Sequence, residues 1–276
     1  MSTLAGATSS ASIHTDPDHA RRVIAAARRE FDSRYPDVKL SPAVGLICAF
    51  EEEANIGDVL VAMPAEACGL PVTTLVVVDG GKDRTDEIAK ESGAVTFVLS
   101  ENLGHGYALR VGYALCIELG AQYVVTLDAD GQNDPAEIPV MLQPLVDDDA
   151  DFVVASRVLG RDTTTDRFRK AGVRVFSALM SAMGRTKLTD TSNGYRALRV
   201  GMLDDIAYRL VQTQYQTAEL LIIAMQRGWR ITERPTLWLP RAHGTTKKGK
   251  NWLFGFRYGR VVLETWWRVR KEPRHS

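Results

Sequence analysis

Asp128-Ala129-Asp130-Gly131-Gln132 sets two carboxylates and a side-chain amide at alternate positions of one short stretch. Hard oxygen donors in that spacing suit a divalent cation such as Mg²⁺ or Mn²⁺. The same residues also suit an Asx-type turn, whose carboxylates only cap backbone N–H groups. Five residues do not decide between the two. Upstream, Tyr123-Val124-Val125-Thr126-Leu127 is a β-branched run expected as a buried strand. Downstream, Pro135 suits the first turn of a helix capped by Asp134. The donors therefore stand at the carboxyl end of a strand, where open α/β sheets bind ligands.

Two other groups of residues bear on the same chemistry. Asp79 closes the apolar run Thr73–Val78, with Gly80 and Gly81 behind it. It can bond a ligand that the backbone approaches closely, or it can cap a helix. Arg157, Arg169 and Arg174 surround a polar stretch at 161–170. Guanidinium forks suit phosphate, although any one of them alone reads as a solvated surface charge. Together, acidic donors at one strand end, Asp79 at another and basic residues beyond meet the demand of a metal diphosphate plus a further anion. A nucleotide-sugar, whose diphosphate must leave, makes that demand.

The elements that must position these residues follow from patterning. The Ser/Thr/Ala-rich residues 1–15 are expected to be disordered. Asp16-Pro17 opens a helix whose apolar face is Val23, Ile24, Ala27 and Phe31. Strands expected at Ala43–Phe50, Thr73–Val78, Val95–Leu99 and Tyr123–Leu127 alternate with helices at Ala54–Ala67, Thr85–Ser92 and Gly106–Leu119. Beyond Pro135 the pattern predicts a strand at Asp151–Ser156, a mobile basic loop at Arg161–Lys170 and a helix at Val173–Met183. It then predicts turns at Thr189–Arg196, a helix at Thr217–Arg227, a strand pair or extended arm at Trp229–Leu239, a basic loop at Arg241–Lys250 and an amphipathic helix at Trp252–Arg270. The alternation predicts an α/β fold with a mostly parallel central sheet and helices on both faces.

Composition narrows the function. Thirty-four Lys and Arg balance thirty-four Asp and Glu, so no bulk charge points to nucleic acid. The charges are segregated, however. Gln122–Ser156 holds eight acidic residues and no Lys or Arg, whereas Arg241–Ser276 holds ten Lys or Arg against two Glu. Cys48, Cys68 and Cys116 are odd in number and sit in apolar surroundings, as expected of buried free thiols in a reducing compartment. No Cys/His spacing fits zinc, no apolar run is long enough to span a bilayer, and no signal peptide is expected. Gly104-His105-Gly106 fails as a dinucleotide fingerprint because Leu109 stands at the third glycine. P-loop and nucleophile-elbow motifs are absent.

The order of motifs resembles family 2 glycosyltransferases of the GT-A fold, and within them the polyprenyl-phosphate sugar synthases of the dolichol-phosphate mannose synthase type. The resemblance runs from about Ala43 to Lys248. Cys48 to Ile56 resembles Pro-Ala-Tyr-Asn-Glu-x-x-Asn-Ile, and this implies that Glu52 helps hold the nucleotide. Val78 to Thr85 resembles Asp-Asp-Gly-Ser-x-Asp-Gly-Thr, which places Asp79 at the base-recognising position. Asp128 to Gln132 matches the metal motif in full, and this implies Asp128, Asp130 and Gln132 as ligands, with Asp128 also on the donor. Ser156-Arg157, Asp190 to Arg196 and Glu233-Arg234-Pro235 match later motifs. Arg241 to Lys247 resembles Arg-x-x-Gly-x-Ser-Lys, a loop that closes over donor phosphates through Arg241 and Lys247. Cys48, Glu51 and Val78 depart from the pattern and leave details of base recognition open.

The resemblance implies transfer of a sugar, with inversion, from a GDP- or UDP-linked donor to a lipid phosphate. Asp130, Arg157, Arg169 and Asp190 are the expected catalytic positions, with Arg157 and Arg169 on the acceptor phosphate. Relatives that glycosylate hydroxyls carry a catalytic Asp where Thr217 stands, two residues before Glu219. An alcohol needs a base to remove its proton, whereas a phosphate is already ionised. The expected organisation is a disordered and helical extension (1–42), a GT-A domain (43–248) and a basic aromatic arm (249–276). Trp252, Phe254, Phe256, Tyr258, Trp266 and Trp267 interleave with Arg257, Arg260, Arg268 and Arg270 in that arm. It suits either an anionic membrane surface or packing on the domain with Arg outward. The expected location is cytoplasmic, extending to the cytoplasmic membrane face. The alternatives are transfer to a hydroxyl of a small metabolite with Asp190 as base, a nucleotidyltransferase lacking its Gly-rich signature, and a non-catalytic nucleotide-sugar-binding protein at a membrane surface.

Overall fold

The computed structural model describes residues 17–163, 167–184, 186–241, 243 and 251–271. In chain order the elements are α1 (Pro17–Arg34), β1 (Ala43–Ala49), α2 (Ile56–Val61), β2 (Glu66–Ala67), β3 (Leu70–Val78), α3 (Thr85–Glu91), β4 (Val95–Val98), α4 (His105–Glu118) and β5 (Tyr123–Asp128). There follow α5 (Ile138–Val146), β6 (Phe152–Asp162), α6 (Arg167–Gly184), β7 (Arg196–Arg199), α7 (Val200–Ile206), α8 (Gln216–Arg227), β8 (Ile231–Trp238) and α9 (Asn251–Val269).

One sheet runs in the order β2-β3-β1-β5-β7-β6-β8, with β4 also on β3. The β1–β3, β1–β5, β3–β4 and β6–β8 pairs are parallel. β7 is antiparallel to both β5 and β6. Two reversals restore direction, so β6 and β8 point the same way as β5. The ends of β1, β3, β5 and β6 therefore share one edge, and so does the loop that leads into β7. Register tightens this: Ala49 pairs with Val78 and Cys48 with Asp128. Glu52, Asp79, Asp130, Arg157 and Asp190 are thus delivered to one rim by topology alone.

The core lies on both faces because strand side chains alternate. Val44 and Leu46 pack with Phe31, Phe97, Leu103, Ile222 and Val262 on one face. Ala43, Ile47 and Ala49 pack with Ile56, Met141 and Leu142 on the other. α1 buries Ala20, Val23, Ala27 and Phe31, spaced at helical intervals. α9 buries Tyr258, Val261, Val262, Thr265 and Val269 against the domain. Its Tyr258 hydroxyl donates to the Thr191 carbonyl at 3.1 Å. Packing on the domain is therefore the arrangement of this helix, with Leu263 and Trp267 left outward. Among the described residues, no helix is long and apolar enough to cross a membrane.

Several expectations are corrected. The helix expected over Ala54–Ala67 is only Ile56–Val61, since Pro64 disfavours helical backbone before it, and Glu66–Ala67 pairs with β3 instead. The strand expected to stop at Ser156 continues to Asp162 after a register shift against β8. A side chain at Gly160 would strike the Thr236 backbone, so this close strand contact requires glycine. The loop expected at Arg161–Lys170 is therefore mostly strand and helix; residues 164–166 lie outside the described ones. Of the two alternatives for Trp229–Leu239, the extended arm holds and the strand pair does not: the structure has one strand there, Ile231–Trp238, parallel to β6. The three cysteines are free, with Cys116 buried and Cys48 and Cys68 partly so.

Candidate active site

The acidic turn leaves β5 as its last residue, Asp128, reaches the rim. The Asp128 N–H donates to Asn133 Oδ1 at 3.2 Å and the Gln132 N–H to Asp130 Oδ1 at 3.1 Å. Gly131, at φ +73°, makes the bend. Asp134 caps Ala136 as expected, with Pro135 opening a 3-10 turn. The Asx-turn bonds thus engage Asp130 Oδ1, while no donor among the described residues reaches the Asp128 carboxylate. Gln132 commits its Nε2 to the Leu239 carbonyl at 3.2 Å, leaving its amide oxygen for another role. A Cβ on Gly194 would lie 3.4 Å from Asp128 Oδ1, so the turn before β7 faces this carboxylate directly.

Glu52 follows β1 and is almost fully buried. Asn55 Nδ2 donates to Glu52 Oε2 at 2.9 Å. The Arg241 guanidinium spans the cluster, with Nη2 on both Glu52 oxygens and Nη1 3.3 Å from Asp130 Oδ2. Asn55 carried no assignment from sequence. Its spacing three residues after Glu52, on the turn into α2, was the available signal. Lys247, paired with Arg241 by sequence, lies outside the described residues.

Asp79 is 3% exposed and accepts from the N–H groups of Leu103 (2.8 Å) and Gly104 (2.9 Å), at the start of α4. These bonds fasten the stretch that leads into α4 and are not a helix cap, and Asp79 lies on the same rim. Burial pushes its carboxyl up to about 6, and those two backbone bonds limit the rise.

At the other end of the rim, Arg157 and Asp190 form a buried pair. Arg157 Nε and Nη2 donate to the two Asp190 oxygens at 2.6 and 2.8 Å, and Nη2 also reaches Ser192 Oγ at 2.7 Å. Burial pulls the guanidinium pKa down, but the Asp190 bonds and charge outweigh it and leave the net shift upward. Glu233 on β8 fixes this arrangement by accepting the N–H groups of Thr189 and Asp190. Arg196, fully buried, donates to the carbonyls of Thr191, Asn193 and Thr217 and so ties the turn to α8. Glu219 is also fully buried; it accepts from Val211, Gln212 and Arg268, which makes it a structural anchor. Arg169 is placed on α6, and its side chain lies outside the described ones.

Can a divalent cation fit? Among the described residues no group of three or more His, Cys, Asp or Glu side chains could hold one alone. Asp128, Asp130 and Gln132 nevertheless share one short turn, and Asp130 already bears a cationic side chain. Mg²⁺ is commonly held by one or two carboxylates and completed by substrate phosphates. The donor set fits that mode.

Comparison with known proteins bears on the family and the fold. The family model described as glycosyl transferase family 2 matches residues 46–207. A dolichyl-phosphate hexose transferase of Haloferax volcanii is 34% identical over 198 residues, covering 72% of this chain and 82% of that protein. A UDP-N-acetylglucosamine–dolichyl-phosphate N-acetylglucosaminyltransferase of Methanococcus voltae is 29% identical, covering 66% and 80%. Glucosyl-3-phosphoglycerate synthase of Mycobacterium tuberculosis, solved with Mn²⁺, UDP and glucosyl-3-phosphoglycerate, superposes with a TM-score of 0.62 at 18% identity, covering 92% of this chain and 86% of that one. The same enzyme with Mg²⁺ and UDP gives 0.63 at 19%, covering 86% and 82%. These structural likenesses establish the GT-A fold.

Proposed function

The chain belongs to glycosyl transferase family 2 and is a glycosyltransferase; from that membership we propose that it moves a sugar, with inversion, from a nucleoside-diphosphate sugar to a polyprenyl phosphate. Residues 43–248 form the catalytic unit in this reading, with α1 and α9 completing its core. Asp128, Asp130 and Gln132 hold a divalent cation, Mg²⁺ or Mn²⁺. That cation supplies neutralisation of the charge developing on the leaving diphosphate. Glu52 and Asp79 hold the nucleoside, and Arg241 and Lys247 close on the donor. Arg157 and Arg169 receive the acceptor phosphate. The donor is GDP- or UDP-linked; relatives named for dolichyl and undecaprenyl phosphates support the acceptor class.

One observation carries the acceptor assignment. Asp190, the base that a hydroxyl acceptor would call on, is 0% exposed and doubly bonded to Arg157. A carboxylate spent on a buried ion pair is poorly placed to take a proton. What the pair offers the rim is an oriented guanidinium, which suits an anion that is already ionised. Displacement by such an anion needs no base. The acceptor lipid would be met at a membrane surface, and the outward Leu263 and Trp267 of α9 support peripheral contact at the cytoplasmic face.

The test is label transfer. The full chain is incubated with Mn²⁺, a panel of labelled GDP- and UDP-sugars and a polyprenyl phosphate. Label should enter the organic phase with at least one donor and should stay out when a chelator is added. No lipid-linked product with any donor would defeat the reading.

A further inference from the structure

After β8, Arg241 and His243 are fastened across the acidic cluster. Asn55, 4% exposed, accepts the His243 N–H on Oδ1 at 3.0 Å, and its Nδ2 reaches the His243 carbonyl at 3.4 Å as well as Glu52. Arg241 Nε donates to the same His243 carbonyl at 2.8 Å. These bonds aim the guanidinium so that it joins Glu52 to Asp130. A monocation therefore already occupies a carboxylate oxygen assigned above as a metal ligand. A divalent cation brought to that oxygen meets direct charge repulsion. A diphosphate changes the balance, because it offers the guanidinium a bidentate anion and adds negative charge between the two cations.

We propose that Arg241, strapped down through Asn55, is a resident counter-ion of the acidic cluster, and that it moves from Asp130 to the diphosphate when donor and cation enter as a coupled pair. The inference rests on the metal reading above and goes beyond it by fixing how the two ligands depend on each other. Asn55 is a positioning residue, acting through the backbone of His243. Such coupling is reciprocal: the diphosphate tightens the cation as much as the cation tightens the diphosphate.

Calorimetric titration of the full chain with Mn²⁺ alone, and with Mn²⁺ at saturating UDP or GDP, tests this. Wild type should bind Mn²⁺ alone weakly and at least about fivefold more tightly with a diphosphate. Arg241→Gln should bind Mn²⁺ alone more tightly than wild type by a similar factor, with the diphosphate adding less. Asn55→Ala keeps the Arg241 charge but frees the strap, so it should shift in the same direction. A through-space charge effect alone would leave Asn55→Ala at the wild-type value, and that result overturns the latch. Equal binding of Mn²⁺ alone by wild type and Arg241→Gln overturns it too, while the metal reading stands. Arg241 is partly exposed, so its variant decides the matter if Asn55→Ala does not fold. Absence of Mn²⁺ binding in every arm, with or without diphosphate, removes the metal reading and the latch together.

Discussion

The two halves of the rim treat their carboxylates in opposite ways. On the β1–β3–β5 side a single guanidinium, Arg241, serves both Glu52 and Asp130. Among the described residues Asp79 accepts from the backbone N–H groups of Leu103 and Gly104, and no donor reaches the Asp128 carboxylate. On the β6–β7–β8 side each carboxylate is matched: Asp190 by Arg157, Glu233 by two backbone N–H groups, Glu219 by backbone and Arg268. A matched group is rigid and finished. In the proposed reaction a cation and the diphosphate it carries would complete the acidic side. In the proposed reaction the first half would take the donor and its cation, and the second would present one fixed guanidinium to the acceptor.

Mutations should separate the halves by what they damage. Asp130→Ala should lower transfer by on the order of 10²–10³-fold or more and leave the melting temperature nearly unchanged; rate and melting curve together check this. Arg157→Met should instead damage the fold. It strands a buried carboxylate, at a cost of about 3–5 kcal/mol, read from urea unfolding. Arg157→Met combined with Asp190→Leu should recover most of that loss. A stable Arg157→Met protein would mean that the two halves are not so different.

Asp79 sharpens the comparison through pH. With its carboxyl raised to about 6, it loses its charge as pH falls from 7 to 5. Binding of UDP or GDP should then weaken by up to about tenfold, and Asp79→Asn should flatten that dependence. The effect on stability has the opposite sense. The raised pKa contributes stability that is present below the ordinary carboxylate value and is lost as pH rises through about 6. The smallest effect belongs to the exposed Arg260–Glu264 pair of α9, where Arg260→Ala should change stability by less than about 0.5 kcal/mol.

Legibility from sequence follows the same divide. β1, β5, the second half of β3 and the middle of β4 are buried on both faces, so they appear as apolar runs with clear turn residues after them. Asp134-Pro135 and Gly120 marked their boundaries for the same local reasons. β7 was missed because Arg-Ala-Leu-Arg has no β-branched residue, and its Arg196 is buried by bonding to carbonyls that belong to distant segments. The extension of β6 past Ser156 depends on β8, about eighty residues later, and on the glycine that lets the strands close. Site residues were gathered by motif order, but their partnerships were not readable. Nothing local tells that Arg157 is held by Asp190, or that Asn55 grips His243.

The most direct test of the central claim sets two acceptors side by side. A polyprenyl phosphate and the matching polyprenol are mixed in equal amounts with the full chain, Mn²⁺ and an active nucleotide-sugar, and the labelled lipids are separated by charge. Essentially all label should appear on the phosphate, because the rim offers a fixed guanidinium and Asp190 is spent on holding it. Label on the polyprenol alone would contradict the account.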